Sequence, residues 1–275
     1  MDSHLPWPEV EPDMPIPYYH VDAFTGELFA GNPAGVCMLS AFLPDSTMQQ
    51  IAAENRHSET AFVVPRADGN FDLRWFTPEV EDDLCGHATL ASAYVLALRQ
   101  HTAWPVRFHS RSGVLTVARE QGGFELDFPA RPPQPCETPV ELLPALGLET
   151  AQVMRSRDYL VVVDHAEQVR ALSPNIAALA KLAMGIGGTI VTAPGEGDVE
   201  YVCRFFAPSL GIPEDPATGS IHCTLAPYWA ARLGKQALRG QQLSARGGYV
   251  RCKIAGDRVK IAGKARLYLQ GTIEL

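Results

Sequence analysis

Two short stretches of the chain gather residue types that can hold and orient a small anion. The first, Leu84-Cys85-Gly86-His87-Ala88-Thr89, sets a thiol and an imidazole around a glycine, just ahead of the apolar run from Leu90 to Leu98. The second, Glu214-Asp215-Pro216-Ala217-Thr218-Gly219-Ser220, sets two carboxylates and two hydroxyls ahead of the apolar run from Ile221 to Ala231. A helix that starts at such a glycine turn has backbone N–H groups without helical partners, and these, with the helix dipole, attract anions. Gly86, Thr218, Gly219 and Ser220 are therefore candidate positions for binding a small carboxylate. Pro216 pushes the backbone of Asp215 out of the helical region and holds its side chain ahead of the helix. There it could receive an ammonium or a hydroxyl, or simply balance the helix dipole. Ser220 could bind the same ligand or cap the helix. His87 could donate or accept a hydrogen bond near neutral pH, although a solitary histidine is more often a satisfied structural group. A further carboxylate, Glu59, opens the β-rich run Thr60-Ala61-Phe62-Val63-Val64, at a place where a strand leaves the core. A surface ion pair is the commoner fate of such a residue.

The elements that must position these groups form a repeat. Arg74-Trp75-Phe76-Thr77-Pro78, with Glu79, Glu81, Asp82 and Asp83 after it, precedes the first stretch, and Arg204-Phe205-Phe206-Ala207-Pro208 precedes the second. Both copies read as strand, acidic loop, glycine turn and apolar helix. Two copies do not make a solenoid, so a pseudo-twofold pair of lobes is expected. Each helix is apolar on most of its circumference and is expected at the centre of its lobe. Both are too short to span a membrane.

Composition narrows the function classes. The 275 residues are 46% hydrophobic and 20% charged, with a formal net charge of -8, which leaves no basic surface suited to nucleic acid. The six cysteines, at 37, 85, 136, 203, 223 and 252, include no C-x-x-C pair, so neither a metal site nor a disulfide framework is expected, and reduced thiols in a cytoplasm are. Gly31-Asn32-Pro33-Ala34-Gly35 turns sharply but lacks the G-x-G-x-x-G spacing of a dinucleotide site.

Along the chain, residues 1–17 read as a flexible Pro-rich arm, 18–128 as an N-terminal lobe and 129–275 as a C-terminal lobe, with the prolines between 129 and 139 marking the linker. A helix is expected after Pro44, with Asp45 or Ser46 as N-cap and Met48, Ile51 and Ala52 on its apolar face. Further strands are expected over 105–128 and 160–163, a helix over 175–182, a strand over 187–192, and a closing antiparallel meander from Gln242 to Leu275.

Four motifs in order, Val21-Asp22-Ala23-Phe24-Thr25 with Gly31-Asn32-Pro33-Ala34, Ser58-Glu59-Thr60-Ala61-Phe62, Leu84 to Thr89, and Glu214 to Ser220, resemble the phenazine-biosynthesis PhzF-like family of isomerases. The resemblance runs from about residue 18 to the C-terminus. It implies an α+β, diaminopimelate-epimerase-like fold: two pseudo-symmetric lobes, each a curved, mostly antiparallel sheet wrapped around a central apolar helix, with the active site between them. It also implies a homodimeric isomerase without cofactor or metal, acting on a small anionic or amino-acid-like substrate and not on nucleic acid or membrane. On this resemblance Glu59, Asp215 and His87 are the catalytic candidates, with Ser220, Gly86, Gly219 and Thr218 binding the substrate. His57 stands where the family is expected to carry an apolar residue.

Moving a proton off carbon needs a base that can return it, so Glu59 is expected to have a raised pKa in a partly apolar cleft. Two other readings compete. An epimerase or racemase could use Cys85 together with Asp215 or Glu59, since related epimerases use a cysteine pair, but the second lobe offers no matching cysteine. A non-catalytic binding protein could keep the fold alone.

Overall fold

The computed structural model describes residues 15–100, 103–120, 122–182 and 187–275. Most of the expected N-terminal arm, residues 1–14, lies outside the described residues, and the remainder is not arm, because Ile16 already opens the strand Ile16–Ala23. The chain divides into two compact units. One runs to Asp127 and takes back Ala262–Leu275, and the other is Phe128–Ile261. The expected C-terminal lobe, 129–275, is thus corrected at its end. The last strand, Ala265–Ile273, pairs antiparallel with Ile16–Ala23, from Ile16 opposite Ile273 to Ala23 opposite Ala265. Alternating patterns identify a strand but not its partner, so such a return is invisible until register is known.

The first unit is built around the helix Gly86–Leu98, in which Gly86 to Ala93, Val95 and Leu96 are all buried. It packs on the strands Ile16–Ala23, Asn32–Met38, Glu59–Pro65 and Ala265–Ile273. Its small residues allow close approach, and its buried hydroxyls bond back within the helix, Thr89 Oγ1 to the Cys85 carbonyl and Ser92 Oγ to the Ala88 carbonyl. Asn32–Met38 runs parallel to Glu59–Pro65, with the helix Asp45–Asn55 making the crossover. Met48, Ile51 and Ala52 face the core as expected, but Pro44, not Asp45 or Ser46, occupies the N-cap. Glu59–Pro65 pairs antiparallel with Phe71–Phe76, which pairs parallel with Val106–Ser110 across the buried helix. The strands expected over residues 105–128 are Val106–Ser110, Gly113–Glu120 and Gly123–Pro129.

The second unit repeats that order. Tyr159–Val162 runs parallel to Thr189–Pro194, which pairs antiparallel with Tyr201–Ala207, which runs parallel to Ala237–Gln242. The helix His222–Leu233 makes the last crossover and is buried over His222–Ala226, Trp229 and Ala230. Pro227 inside it cannot donate to the Cys223 carbonyl, and the backbone N–H of Arg131 supplies that bond at 2.8 Å. The expected 175–182 helix is a short turn, Ile176–Leu179, capped by Asn175. Among the described residues no helix is long and apolar enough to cross a membrane.

The repeated arginines do the same work in both units. Arg74 holds Glu81 through Nε and Nη2, both at 2.7 Å, while its guanidinium lies 5.2 Å from the Phe76 ring centre. Arg204 holds Glu214 at 2.7 and 2.8 Å and lies 5.0 Å from Phe206. Each fork ties a strand to the loop that leads into the buried helix, and a bidentate pair fixes direction as well as distance. Part of the Glu79–Asp83 run is thereby given a structural role.

At the start of the second helix, His222 is fully buried, with Nδ1 2.6 Å from the Tyr201 hydroxyl. Gly240 leaves room for this tyrosine, since a Cβ there would stand 2.5 Å from its ring. Burial lowers the imidazole pKa to about 3 and raises the phenol well above its ordinary value.

Two outcomes follow from these contacts. Arg204→Lys keeps the charge but loses the fork, and should lower unfolding free energy by about 1–2 kcal/mol in urea titrations. Because His222 is harder to protonate folded than unfolded, its contribution to stability is complete above pH 6.5 and is lost as pH falls toward 3. Between pH 6.5 and 4 this amounts to about 3 kcal/mol, so His222→Gln should flatten the acid limb of the stability profile, and an unchanged slope would refute the assignment.

Candidate active site

Glu59 is the first residue of its strand and sits opposite Ala34 in the parallel pair, two residues past Asn32. That register brings the carboxylate beside the turn Gly31-Asn32 and the start of the buried helix. Gly31 is in the left-handed region at φ 65°, and a Cβ there would stand 2.1 Å from the Ala23 carbonyl, so only glycine lets the chain turn into Asn32. Cys85 is extended ahead of the helix, and His87 is its second residue.

Glu59 is only 7% exposed and His87 only 2%. Glu59 Oε2 lies 3.2 Å from His87 Nε2. On the other side of the ring, Asn32 Nδ2 lies 3.1 Å from Nδ1 and Cys85 Sγ 3.5 Å from the same nitrogen. Ser58 Oγ donates to Asn32 Oδ1 at 3.4 Å, which turns the amide N–H toward the imidazole. Nδ1 then accepts, and the proton of the neutral ring sits on Nε2, facing Glu59. The arrangement sets a buried carboxylate beside an imidazole nitrogen, a pairing of groups suited to taking and returning a proton.

Glu59, Cys85 and His87 each offer a possible metal ligand, with the donor atoms all within 4.8 Å of one another. The thiol meets Nδ1 while the carboxylate meets Nε2. His57 meets Tyr18, whose hydroxyl is 3.0 Å from Nε2, and its ring centre lies 4.3 Å from that of His20, with the planes tilted by 54°.

In the second unit, Asp215 ends the short strand Ile212–Asp215 opposite Phe205 and is buried. Thr218 Oγ1 donates to Asp215 Oδ2 in a very short hydrogen bond. Gln242 Oε1 accepts from the Thr218 N–H at 2.8 Å, and its Nε2 donates to the Asp215 carbonyl at 2.5 Å and to Thr218 Oγ1 at 3.2 Å. Ser244 Oγ donates to the Pro216 carbonyl at 2.6 Å. Beyond Gly219 and Ser220 the helix opens at Ile221, which has no side-chain cap, and it is the Ser220 carbonyl that accepts from the Cys223 N–H. The Ser220 hydroxyl is therefore not used as a helix cap.

The expected residues thus fall into two constellations: Glu59, Gly86 and His87, with Cys85, in the first unit, and Asp215, Thr218, Gly219 and Ser220 in the second. Asn32, Ser58 and Gln242 were not expected among them. Asn32 stands within a flagged turn motif, whereas a lone glutamine at the end of a strand gives no sequence signal.

A family model described as phenazine biosynthesis-like protein, PhzC-PhzF, matches residues 21–271. A Pseudomonas aeruginosa protein described as an uncharacterized isomerase is 52% identical, the match covering 95% of this chain and all of the relative. A crystal structure of a PhzF-family phenazine biosynthesis protein from Enterococcus faecalis is similar at a TM-score of 0.89 and 44% identity, covering 95% of this chain and all of that one. A predicted epimerase from Pseudomonas aeruginosa shares the fold at a TM-score of 0.72 and 22% identity, covering 94% and 99%. With its motifs, repeated topology and family model in agreement over nearly its whole length, the chain belongs to the PhzC-PhzF phenazine biosynthesis-like family.

Proposed function

We propose that this protein is an isomerase that moves a proton between carbons of a small carboxylate or amino-acid-like substrate without a cofactor, with Glu59 as the acid and base. The observation that carries this reading is the buried Glu59 carboxylate with its oxygen 3.2 Å from His87 Nε2. Relatives at 52% and 42% identity are described as isomerases, which agrees with it. In the forward step the carboxylate takes a proton from one carbon, and the electron pair left behind spreads into the adjoining unsaturated or carboxylate system. The protonated Glu59 then gives the proton to a second carbon, so the enzyme returns to its starting state and only bond positions have changed. His87 Nε2, 3.2 Å from Glu59 Oε2, stands beside the carboxylate in both steps. Asp215 is assigned to a substrate ammonium or hydroxyl, and Ser220 with the N–H groups of the Gly219 turn to the carboxylate.

Cys85 supports a second reading, a proton exchange at one carbon in which the thiol takes part, because Sγ stands 3.5 Å from His87 Nδ1. The two readings differ in what they need from Cys85.

Incubation in D₂O with a panel of small linear and cyclic amino acids, followed by proton NMR, tests both. Deuterium should enter a carbon-bound position with the wild type, and Glu59→Gln should lower the rate by about 10²- to 10⁴-fold, the usual range for a general acid and base. Wild-type turnover in Glu59→Gln would end the proposal. Cys85→Ala should retain activity within a few-fold, and a loss as deep as that of Glu59→Gln would move the assignment to the thiol reading.

A further inference from the structure

Gln242 has no place in the chemistry above, yet it is almost completely buried and its amide uses both of its faces on one loop. It ends the strand Ala237–Gln242, which lies parallel to Tyr201–Ala207 and antiparallel to Gly248–Ala255. The orientation of the amide is decided by its backbone partners. The Thr218 N–H can only donate and lies 2.8 Å from Oε1, while the Asp215 carbonyl can only accept and lies 2.5 Å from Nε2. Exchanging oxygen and nitrogen would set donor against donor and acceptor against acceptor.

That orientation has a consequence one bond further on. Nε2 also donates to Thr218 Oγ1 at 3.2 Å, so the threonine oxygen is an acceptor on that side. Its single proton is then directed to Asp215 Oδ2. The chain of donors runs from Gln242 through Thr218 to Asp215, and it points one way. Ser244, two residues on, holds the Pro216 carbonyl, so one short segment of chain grips the loop at Asp215, Pro216 and Thr218.

We infer that Gln242 is a positioning residue for the reaction, setting the geometry of the Asp215–Ser220 loop and directing the Thr218 proton onto Asp215. It touches no reacting atom and acts through those two side chains. This inference rests on the isomerase reading for its catalytic consequence, but not for the loop geometry. A methionine of similar length fills the same space without the amide, so Gln242→Met separates hydrogen bonding from packing. Gln242→Glu is a second, independent probe. It keeps an acceptor for the Thr218 N–H but loses both donors, and protonation of the introduced carboxyl restores one of them.

The test combines amide hydrogen exchange by mass spectrometry with the D₂O assay. In Gln242→Met, protection should fall in the peptide spanning residues 212–221 and stay at the wild-type level elsewhere. kcat/KM should fall by about 10²-fold, the scale of a misplacement near 1 Å. In Gln242→Glu, kcat/KM relative to wild type should rise as pH falls, a pH profile that a space-filling role would not produce. Wild-type protection of the 212–221 peptide, wild-type kcat/KM in Gln242→Met, or a flat relative pH profile in Gln242→Glu would each overturn the inference. If the wild type itself exchanged no member of the panel, the isomerase reading would fail, and the exchange protection alone would decide whether Gln242 sets the loop.

Discussion

Polar groups at the starts of two buried helices must find partners inside the protein, and most of the local architecture follows from that constraint. A helix buried on nearly every face has no water to satisfy its first N–H groups, its hydroxyls or a broken backbone bond. Each need is met by a specific neighbour. Thr89 and Ser92 bond back to their own helix, the Arg131 N–H meets the carbonyl freed by Pro227, and the Tyr201 hydroxyl meets His222. The same logic reaches the candidate site residues, because His87 and Asp215 lie where these helices begin. Each is held by a buried side-chain amide, Asn32 at His87 directly and Gln242 at Asp215 through Thr218 and the backbone. An amide suits this position because it offers a donor and an acceptor at fixed separation and no charge to desolvate.

The pair of arginine forks shows which part of the repeat is architecture. Arg74 with Glu81 and Arg204 with Glu214 match in bonding pattern, distance and aromatic stacking, and they occupy equivalent places on equivalent strands. Neither fork belongs to the residues proposed for chemistry. Their effect is to fix the exit of a strand so that the following loop delivers its side chains to the same place each time. A Lys in either position would hold the charge without the direction.

What could be read from the sequence was what depends on local pattern. The buried helices, the strand opened by Glu59 and the loops carrying His87 and Asp215 were all legible, because apolar runs, glycine turns and proline leave marks within a few residues. What could not be read depends on long-range register. The return of Ala265–Ile273 to Ile16–Ala23 joins opposite ends of the chain, and Gln242 reaches Asp215 across 27 positions. Asn32 is an intermediate case: its turn motif was visible, but its bond to His87, 55 positions away, was not. Helix capping failed for a related reason, since Pro44 took the position that Asp45 or Ser46 was expected to fill, and Ile221 the one offered to Ser220.

The two units keep one scaffold and place different chemistry on it, and the differences fall at matching positions. The residue after the glycine is His87 in one and Ser220 in the other, an imidazole against a hydroxyl. The residue two further on is Thr89 in one, closing a bond within its helix, and His222 in the other, locked against Tyr201 in the core. The adjacent Glu59 and His87 have no counterpart at the second helix, where the loop carries Asp215, Thr218 and Ser220 instead. A repeat that had kept both copies alike would present two equal bases, as a symmetric two-base exchange requires. The divergence seen here sets a carboxylate and an imidazole at one helix start and a carboxylate with hydroxyls at the other. It is also why Cys85, which has no partner thiol at Ala217 or Thr218, fits better as a neighbour of His87 than as half of a pair.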